Sequence, residues 1–361
     1  MQQRASRASF LLRSPDLPRR VSLRAGTQNL KAVHGFLRGA RSRWPGRSAE
    51  EMQAAAKGAP AGWYPGHIAK AKKKLQEQIR LVDAIVHVRD ARAPSATAHG
   101  ELDKWAGSTR SIVSVLSMVD LVSRRDALRW QSHIENSEGY PCLLINCKSG
   151  HGINALADSL LQNSTASSAN ARRQRKGLTP RATRAAVVGF PNTGKSALVN
   201  RLLGRRANDS APKPGITQQL RWAKSARTSQ LEVLDSPGIL PPRVDDPHAA
   251  VKLAACNDIG EAAYVSSTIA SELAEILPFS AFRYRYGDDV VGDAESGEDV
   301  VSLLAAARFG SKIEQAGARI LGDFQRGRLG KHCLDDIIEQ PLSKFRKNSS
   351  KRENGKNSAT C

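Results

Sequence analysis

The residues Gly189-Phe190-Pro191-Asn192-Thr193-Gly194-Lys195-Ser196 fit the pattern GxxxxGK[ST], and they stand between an apolar run and a helix-forming stretch. Glycines at both ends of such a loop let backbone N–H groups close on a chain of phosphates, and the positive end of the following helix adds to the attraction. In this arrangement Lys195 bridges the β and γ phosphates, and the Ser196 hydroxyl holds Mg2+. Further along, Asp235-Ser236-Pro237-Gly238 closes a second apolar run. An acid at the C-terminal end of a strand faces the crevice where open parallel sheets bind ligands. Asp235 is therefore expected to hold Mg2+ through a water, and the Gly238 N–H to sense the γ phosphate. Lys213-Pro214-Gly215-Ile216-Thr217 lies between the two motifs, and Thr217 offers a second hydroxyl to the metal.

A phosphate loop does not choose a base. The usual guanine motif, NKxD, is absent after Gly238. A related arrangement precedes the phosphate loop: the apolar run 112–116 ends in Ser117-Met118-Val119-Asp120. The Asp120 carboxylate can accept from guanine N1–H and the 2-amino group, and adenine would leave it unpaired. A further run ends in Asn146-Cys147-Lys148-Ser149-Gly150, which suits support of the guanine O6. Base motifs thus precede phosphate motifs, the order of a circular permutation.

These motifs need strands that deliver them to one edge. Apolar runs at 84–88, 112–116, 143–146, 185–189 and 231–235 read as strands, with 221–224 as an added edge strand. Stretches 125–136, 153–162 and 195–203 read as helices between them, and residues 67–82 carry apolar side chains at helical spacing. Alternation of this kind predicts an α/β fold, a parallel sheet with helices on both faces. Residues 163–184 are polar and basic and read as a linker inside the domain. After Pro241 the alternation stops. Stretches 249–255, 269–277, 300–309, 311–324 and 334–339 read as a small all-helical C-terminal domain, interrupted by a turn-rich insert at 287–299. The expected organisation is a nucleotide-binding domain over 59–244, a helical domain over 245–340 and a basic tail over 341–361.

The chain has 361 residues and a net charge of +21, which favours nucleic acid as a partner. Residues 1–58 are rich in Arg, Ser and Ala and poor in acids, the composition of an organellar transit peptide; a nucleic-acid-binding arm is the competing reading. The five cysteines form no CxxC pair, which argues against a zinc site or a disulfide framework. No apolar run is long enough to span a membrane.

Taken together, these residues resemble the circularly permuted GTPases of the YlqF/YawG (ribosome biogenesis GTPase A) type, and most closely the chloroplast DAR GTPase. The resemblance rests on Trp63-Tyr64-Pro65-Gly66-His67, Asp90-Ala91-Arg92, the phosphate loop, Pro214-Gly215-Ile216-Thr217, the residues 235–240 and the stretch from Asp245 to Glu261. It implies motif order G4-G5-G1-G2-G3, an RNA-contacting helical domain and GTP hydrolysis during assembly of the large ribosomal subunit, here in the chloroplast stroma or, alternatively, the mitochondrial matrix. It implies a monomer that uses GTP/GDP and Mg2+, with K+ at Asn192. The implied GTP-binding set is Ser117, Met118, Val119, Asp120, Asn146, Cys147, Asn192, Thr193, Gly194, Lys195, Ser196, Ala197 and Gly238. Ser196, Thr217 and Asp235 are the implied magnesium ligands. Ile239 stands where other GTPases carry a water-positioning Gln, and the family assigns that task to a His, here His67, which with Lys195 makes the implied catalytic pair; capping a helix or contacting RNA is the other reading of His67. Ser117 and Met118 depart from the Asn-Lys of the family motif. That departure leaves open an rRNA-binding scaffold with a weakened nucleotide site, and a P-loop ATPase of other purpose is the third reading.

Overall fold

Seven consecutive residues, Ala84–Asp90 (β1), are buried along their whole length. A strand that buries both of its faces belongs inside a parallel sheet covered on both sides. In the computed structural model, which describes residues 73, 75–107, 110–204, 221–225, 228, 230–236, 246–259 and 264–337, β1 is indeed central. It pairs in parallel with Ser111–Ser117 (β2) and Thr183–Gly189 (β4). Cys142–Leu144 (β3) pairs with β2, Leu231–Asp235 (β6) pairs with β4, and Arg221–Lys224 (β5) runs antiparallel on the edge of β6. The order is β3-β2-β1-β4-β6-β5.

The register gathers the chemistry. Asp90 stands opposite Ser117, Val88 opposite Gly189, and Val187 opposite Asp235. The residues that end β1, β2, β4 and β6 therefore share one edge of the sheet. On one face Val86, Val113 and Val187 pack against Leu156 and Leu160 of Ile153–Asn163 (α3) and Leu198 and Leu202 of Lys195–Leu203 (α5). On the other, Ile85, Ile112 and Val188 pack against Leu75 and Ile79 of a helical stretch at 75–79 and against Leu102–Ala106 (α1). Arg124–Glu138 (α2) covers the β2–β3 side through Trp130 and Ile134. Its Ser123 side chain accepts from the Asp126 N–H, and Gly139 ends it with φ 73°.

Beyond the sheet, Pro247–Cys256 (α6), Ser266–Ile276 (α7), Phe279–Tyr286 (α8), Asp288–Val291 (α9), Gly297–Arg308 (α10) and Ile313–Gln325 (α11) enclose a core of Leu273, Phe282, Leu304, Ile320 and Phe324.

Several elements differ from the expectation. The linker at 163–184 holds an 11-residue helix, Thr165–Arg175 (α4), anchored by buried Ala166. Its far end is stapled to the sheet, where Arg181 donates to the Asp83 carboxylate at 2.5 and 2.7 Å. The stretch at 143–146 stops being a strand at Leu144, because the Asn146 Oδ1 accepts from the Lys148 N–H at 2.8 Å and turns the chain. The insert at 287–299 contains α9 and the start of α10. The described part of 334–339 is not helical: Leu334 N–H donates to the Arg92 carbonyl at 2.6 Å, and the Asp335 carboxylate accepts from Ser95 N–H at 2.7 Å. Its polar groups are spent on the loop after β1. Most of the proposed helix at 67–82 lies outside the described residues.

Candidate functional site

The phosphate loop leaves β4 at Gly189 and enters α5 at Lys195. A Cβ on Gly189 would collide with the Val88 carbonyl, so the position needs glycine. Asn192 (φ 55°) and Gly194 (φ 86°) turn the chain through left-handed conformations, and Thr193 Oγ1 braces the turn by donating to the Phe190 carbonyl at 2.8 Å. Lys195 is buried, at 6% exposure, and its Nζ donates to the Phe190 carbonyl. Burial pulls its ammonium down to about 8, against the opposing negative charges of Asp258 and Asp235. Ser196 and Ala197 follow in the first turn of α5, and Asp235 ends β6. A left-handed loop at a helix N-terminus, a buried lysine, a hydroxyl and a strand-end acid fit a nucleotide phosphate with its Mg2+.

Ser117 and the phosphate loop meet directly. The Ser117 hydroxyl can donate to the Thr193 carbonyl at 2.7 Å or to the Arg89 carbonyl at 2.9 Å. Met118 has φ 55°, and its ε-methyl would stand 3.9 Å from a Cβ placed on Gly194. Val119 opens a short 3-10 turn that carries Asp120, whose carboxylate accepts from Lys148 Nζ at 2.8 Å. Arg201 on α5 holds the neighbouring loop: its Nε donates to the Cys147 carbonyl and a terminal nitrogen to the Lys148 carbonyl, each at 2.6 Å. Residues from the two base motifs and the phosphate motif thus form one connected edge.

Asp90-Ala91-Arg92 ends β1 at the same edge. Arg92 grips the Asp90 carboxylate through Nε and a terminal nitrogen, at 3.0 and 2.6 Å. The same guanidinium donates to the Cys256 carbonyl at 2.9 Å and to Met118 Sδ at 3.4 Å, and lies 5.8 Å from the Phe324 ring centre. Asn192 reaches the same segment, its Nδ2 donating to the Asn257 carbonyl at 2.7 Å. The end of α6 is therefore fastened to the first strand and to the phosphate loop.

His67, Thr217 and Gly238 lie outside the described residues. The sequence motifs passed over Arg201 and Asn257, and they included Lys148 only as part of the run 146–150, without its ion pair to Asp120. Only Asn257 left a trace, as an Asn placed to end a helix; in the structure it does so with φ 63°.

A family model described as 50S ribosome-binding GTPase matches residues 184–275. A protein named ribosome biogenesis GTPase A from Priestia megaterium is 31% identical over 303 residues, covering 78% of this chain and 99% of its own. Other bacterial relatives of that name align over 63 to 68% of their length. Short integuments 2, mitochondrial, from Arabidopsis thaliana is 30% identical over 226 residues, covering 60% of this chain and 56% of its own. The solved structure of GNP-bound YlqF from T. maritima aligns with a TM-score of 0.50 at 24% identity, covering 74% of this chain and all of that one, which speaks for a shared fold.

Proposed function

Because the chain belongs to the ribosome biogenesis GTPase A family of circularly permuted GTPases, we propose that it binds and hydrolyses GTP while it assists assembly of the large subunit of an organellar ribosome. The observation that carries this reading is the Ser117–Thr193 hydrogen bond, which joins a base motif to a phosphate motif in permuted order. Asp120 is the residue that selects guanine, with Asn146 and Cys147 supporting the base. Asn192, Thr193, Gly194, Lys195 and Ala197 wrap the phosphates. Ser196, Thr217 and Asp235 hold Mg2+, which neutralises developing charge on the β and γ phosphates. Gly238 senses the γ phosphate, Asn192 takes K+, and His67 orients the attacking water. The helical region α6–α11 and the net charge of +21 suit contact with rRNA.

The name of the Arabidopsis relative favours the mitochondrial matrix, and the likeness to the DAR GTPase favours the chloroplast stroma. A fluorescent fusion of residues 1–60 distinguishes them, and a cytosolic signal removes both.

GTP turnover by the purified chain with Mg2+, K+ and organellar large subunits, set against Lys195→Ala, tests the enzymatic reading. Turnover no faster than that variant sinks it. Ser117 and Met118, in place of Asn and Lys, favour one second reading, an rRNA scaffold with a weakened nucleotide site. Full rescue of a deletion strain by Lys195→Ala is its signature.

A further inference from the structure

Residues 172–184 carry six basic side chains, and the nucleotide site uses none of them. Helix α4 is polar on every side: only Ala166 is buried, and its last turn holds Arg172, Arg173 and Arg175, with Lys176 just beyond. Such a helix gains little from packing. One cation at a helix C-terminus answers the dipole. Four in the five positions from 172 to 176, with no acid from Ser159 to Asn208, go well past that need. The chain then folds back beside α4: Asn170 Nδ2 donates to the Arg181 carbonyl, and the Arg181 N–H donates to Asn170 Oδ1, each at 2.9 Å. Arg181 and Arg184 take the acids Asp83 and Glu232, and both guanidinium side chains remain nearly half exposed. Arg184 also lies 5.4 Å from the ring centre of Trp222 on β5, a residue 39% exposed, with Lys224 exposed two positions on. An open hollow of about 230 Å3 between Leu81, Arg181, Ala182, Arg184 and Glu232 joins these elements into one surface. Arg184 stands near the start of β4 and Gly189 at its end, so this surface lies roughly 17 Å along the strand from the phosphate loop.

We propose that the C-terminal half of α4, the start of β4 and the β5 edge form a second RNA-binding face, which holds RNA phosphates with its arginines and offers Trp222 to an unpaired base. Phosphates take the cations, and an exposed indole among guanidinium groups suits the unstacked bases of RNA. A membrane surface would ask for a broad apolar face, and the apolar residues of α4 are alanines alone. The end of α6 is fastened at the opposite edge, by Arg92 and Asn192. RNA held on this face therefore leaves the nucleotide edge and the end of α6 open. The inference rests on the reading of rRNA as the partner, and it places a contact outside the helical region.

The test is binding of the full chain to deproteinised large-subunit rRNA over a series of KCl concentrations. It is repeated with Arg172→Ala, Arg175→Ala and Lys176→Ala combined, exposed positions where Ala suits the helix. A second triple variant on α2, Arg124→Ala with Arg125→Ala and Arg129→Ala, removes the same charge from another exposed surface. The α4 variant should bind roughly tenfold more weakly, with a log–log salt slope shallower by about 2, and the α2 variant should lose much less. Thermal unfolding should be alike in all three chains. Ultraviolet crosslinking of the unaltered chain should attach nucleotides to residues 172–184 or to Trp222. Equal losses in the two triple variants would mean that net charge alone matters, and would overturn the proposal. So would rRNA binding untouched by the α4 changes while binding to whole subunits is lost, the mark of an acidic protein as the partner. Should the α4 variant not fold, absence of crosslinks to this face overturns the proposal by itself. An unaltered chain that binds no rRNA sinks the rRNA reading and this inference together, whereas binding that the α4 changes leave intact sinks only the inference.

Discussion

The hydroxyl of Ser117 lies 2.7 Å from the carbonyl of Thr193, a contact between residues 76 apart in the chain. The family motif places Asn here, with an amide that can donate twice. Ser has one proton and two carbonyls to share it with, Thr193 and Arg89. The bond is fully buried, which makes its loss felt on both loops.

Ser117→Ala should weaken binding of a fluorescent GDP analogue about fivefold, the effect of about 1 kcal/mol. Ser117→Asn should recover that loss or improve on the natural chain. Unchanged affinity in the Ala variant would mean that the two loops hold their places without the tie.

Lys195 sets a pH dependence with a definite sign. Its ammonium is held down to about 8 from 10.5 by burial. Below pH 8 the lysine is charged and ready for phosphates. As pH rises past 8 the empty site loses that charge, and nucleotide affinity should fall by up to tenfold per pH unit. Stability of the empty chain moves the other way: the cost of a buried ammonium is full below pH 8 and is relieved between 8 and 10.5. The stability difference between the natural chain and Lys195→Met, measured by urea unfolding, should therefore shrink over that window. A difference that does not change with pH would show a lysine with ordinary titration.

The strands were readable because β1, β4 and β6 are centred on Ala, Val, Ile and Leu, which a parallel sheet buries on both faces. The phosphate loop was readable because its geometry is local: the eight residues from Gly189 to Ser196 hold both the turn and the helix start. Contacts made by single long side chains were not. Arg201 looks like any solvent-facing arginine of a helix, and only the fold brings it to the Cys147 carbonyl. The helix α8 escaped notice because Phe-Arg-Tyr-Arg-Tyr alternates in steps of two, while only Phe282 and Tyr286, four apart, are buried. The C-terminal run from Leu334 has helical spacing but its described part is held out of a helix by Arg92, Ser95 and Ala96, partners more than two hundred residues away. Asp258 gave no sign of its burial, since an acid after a helix usually faces water.

Arg92 should matter more for stability than for nucleotide contact. Asp90 is fully buried and relies on the Arg92 guanidinium. Removal of one partner from a buried pair leaves an uncompensated charge, so Arg92→Ala should cost about 3–5 kcal/mol in urea unfolding. Replacing both partners at once, Asp90→Val with Arg92→Met, should cost less than the single change. A single variant within about 1 kcal/mol of the natural chain would show that Asp90 finds another partner.

Arg201 should matter for the base. Two of its nitrogens hold the carbonyls of Cys147 and Lys148, which fixes the loop beside Asp120 to the helix that begins at the phosphates. Lysine has no planar fork and cannot hold both carbonyls in that geometry. Arg201→Lys and Arg201→Ala should each weaken GDP binding, the latter about tenfold, and narrow the preference for GTP over ATP in competition assays. Lys148→Ala is the contrast: its ion pair with Asp120 is exposed, with Lys148 77% accessible, so its loss should cost under about 1 kcal/mol of stability and leave guanine binding intact or slightly tighter. Equal effects of the Arg201 and Lys148 changes on base preference would mean that charge near Asp120, rather than loop position, governs recognition.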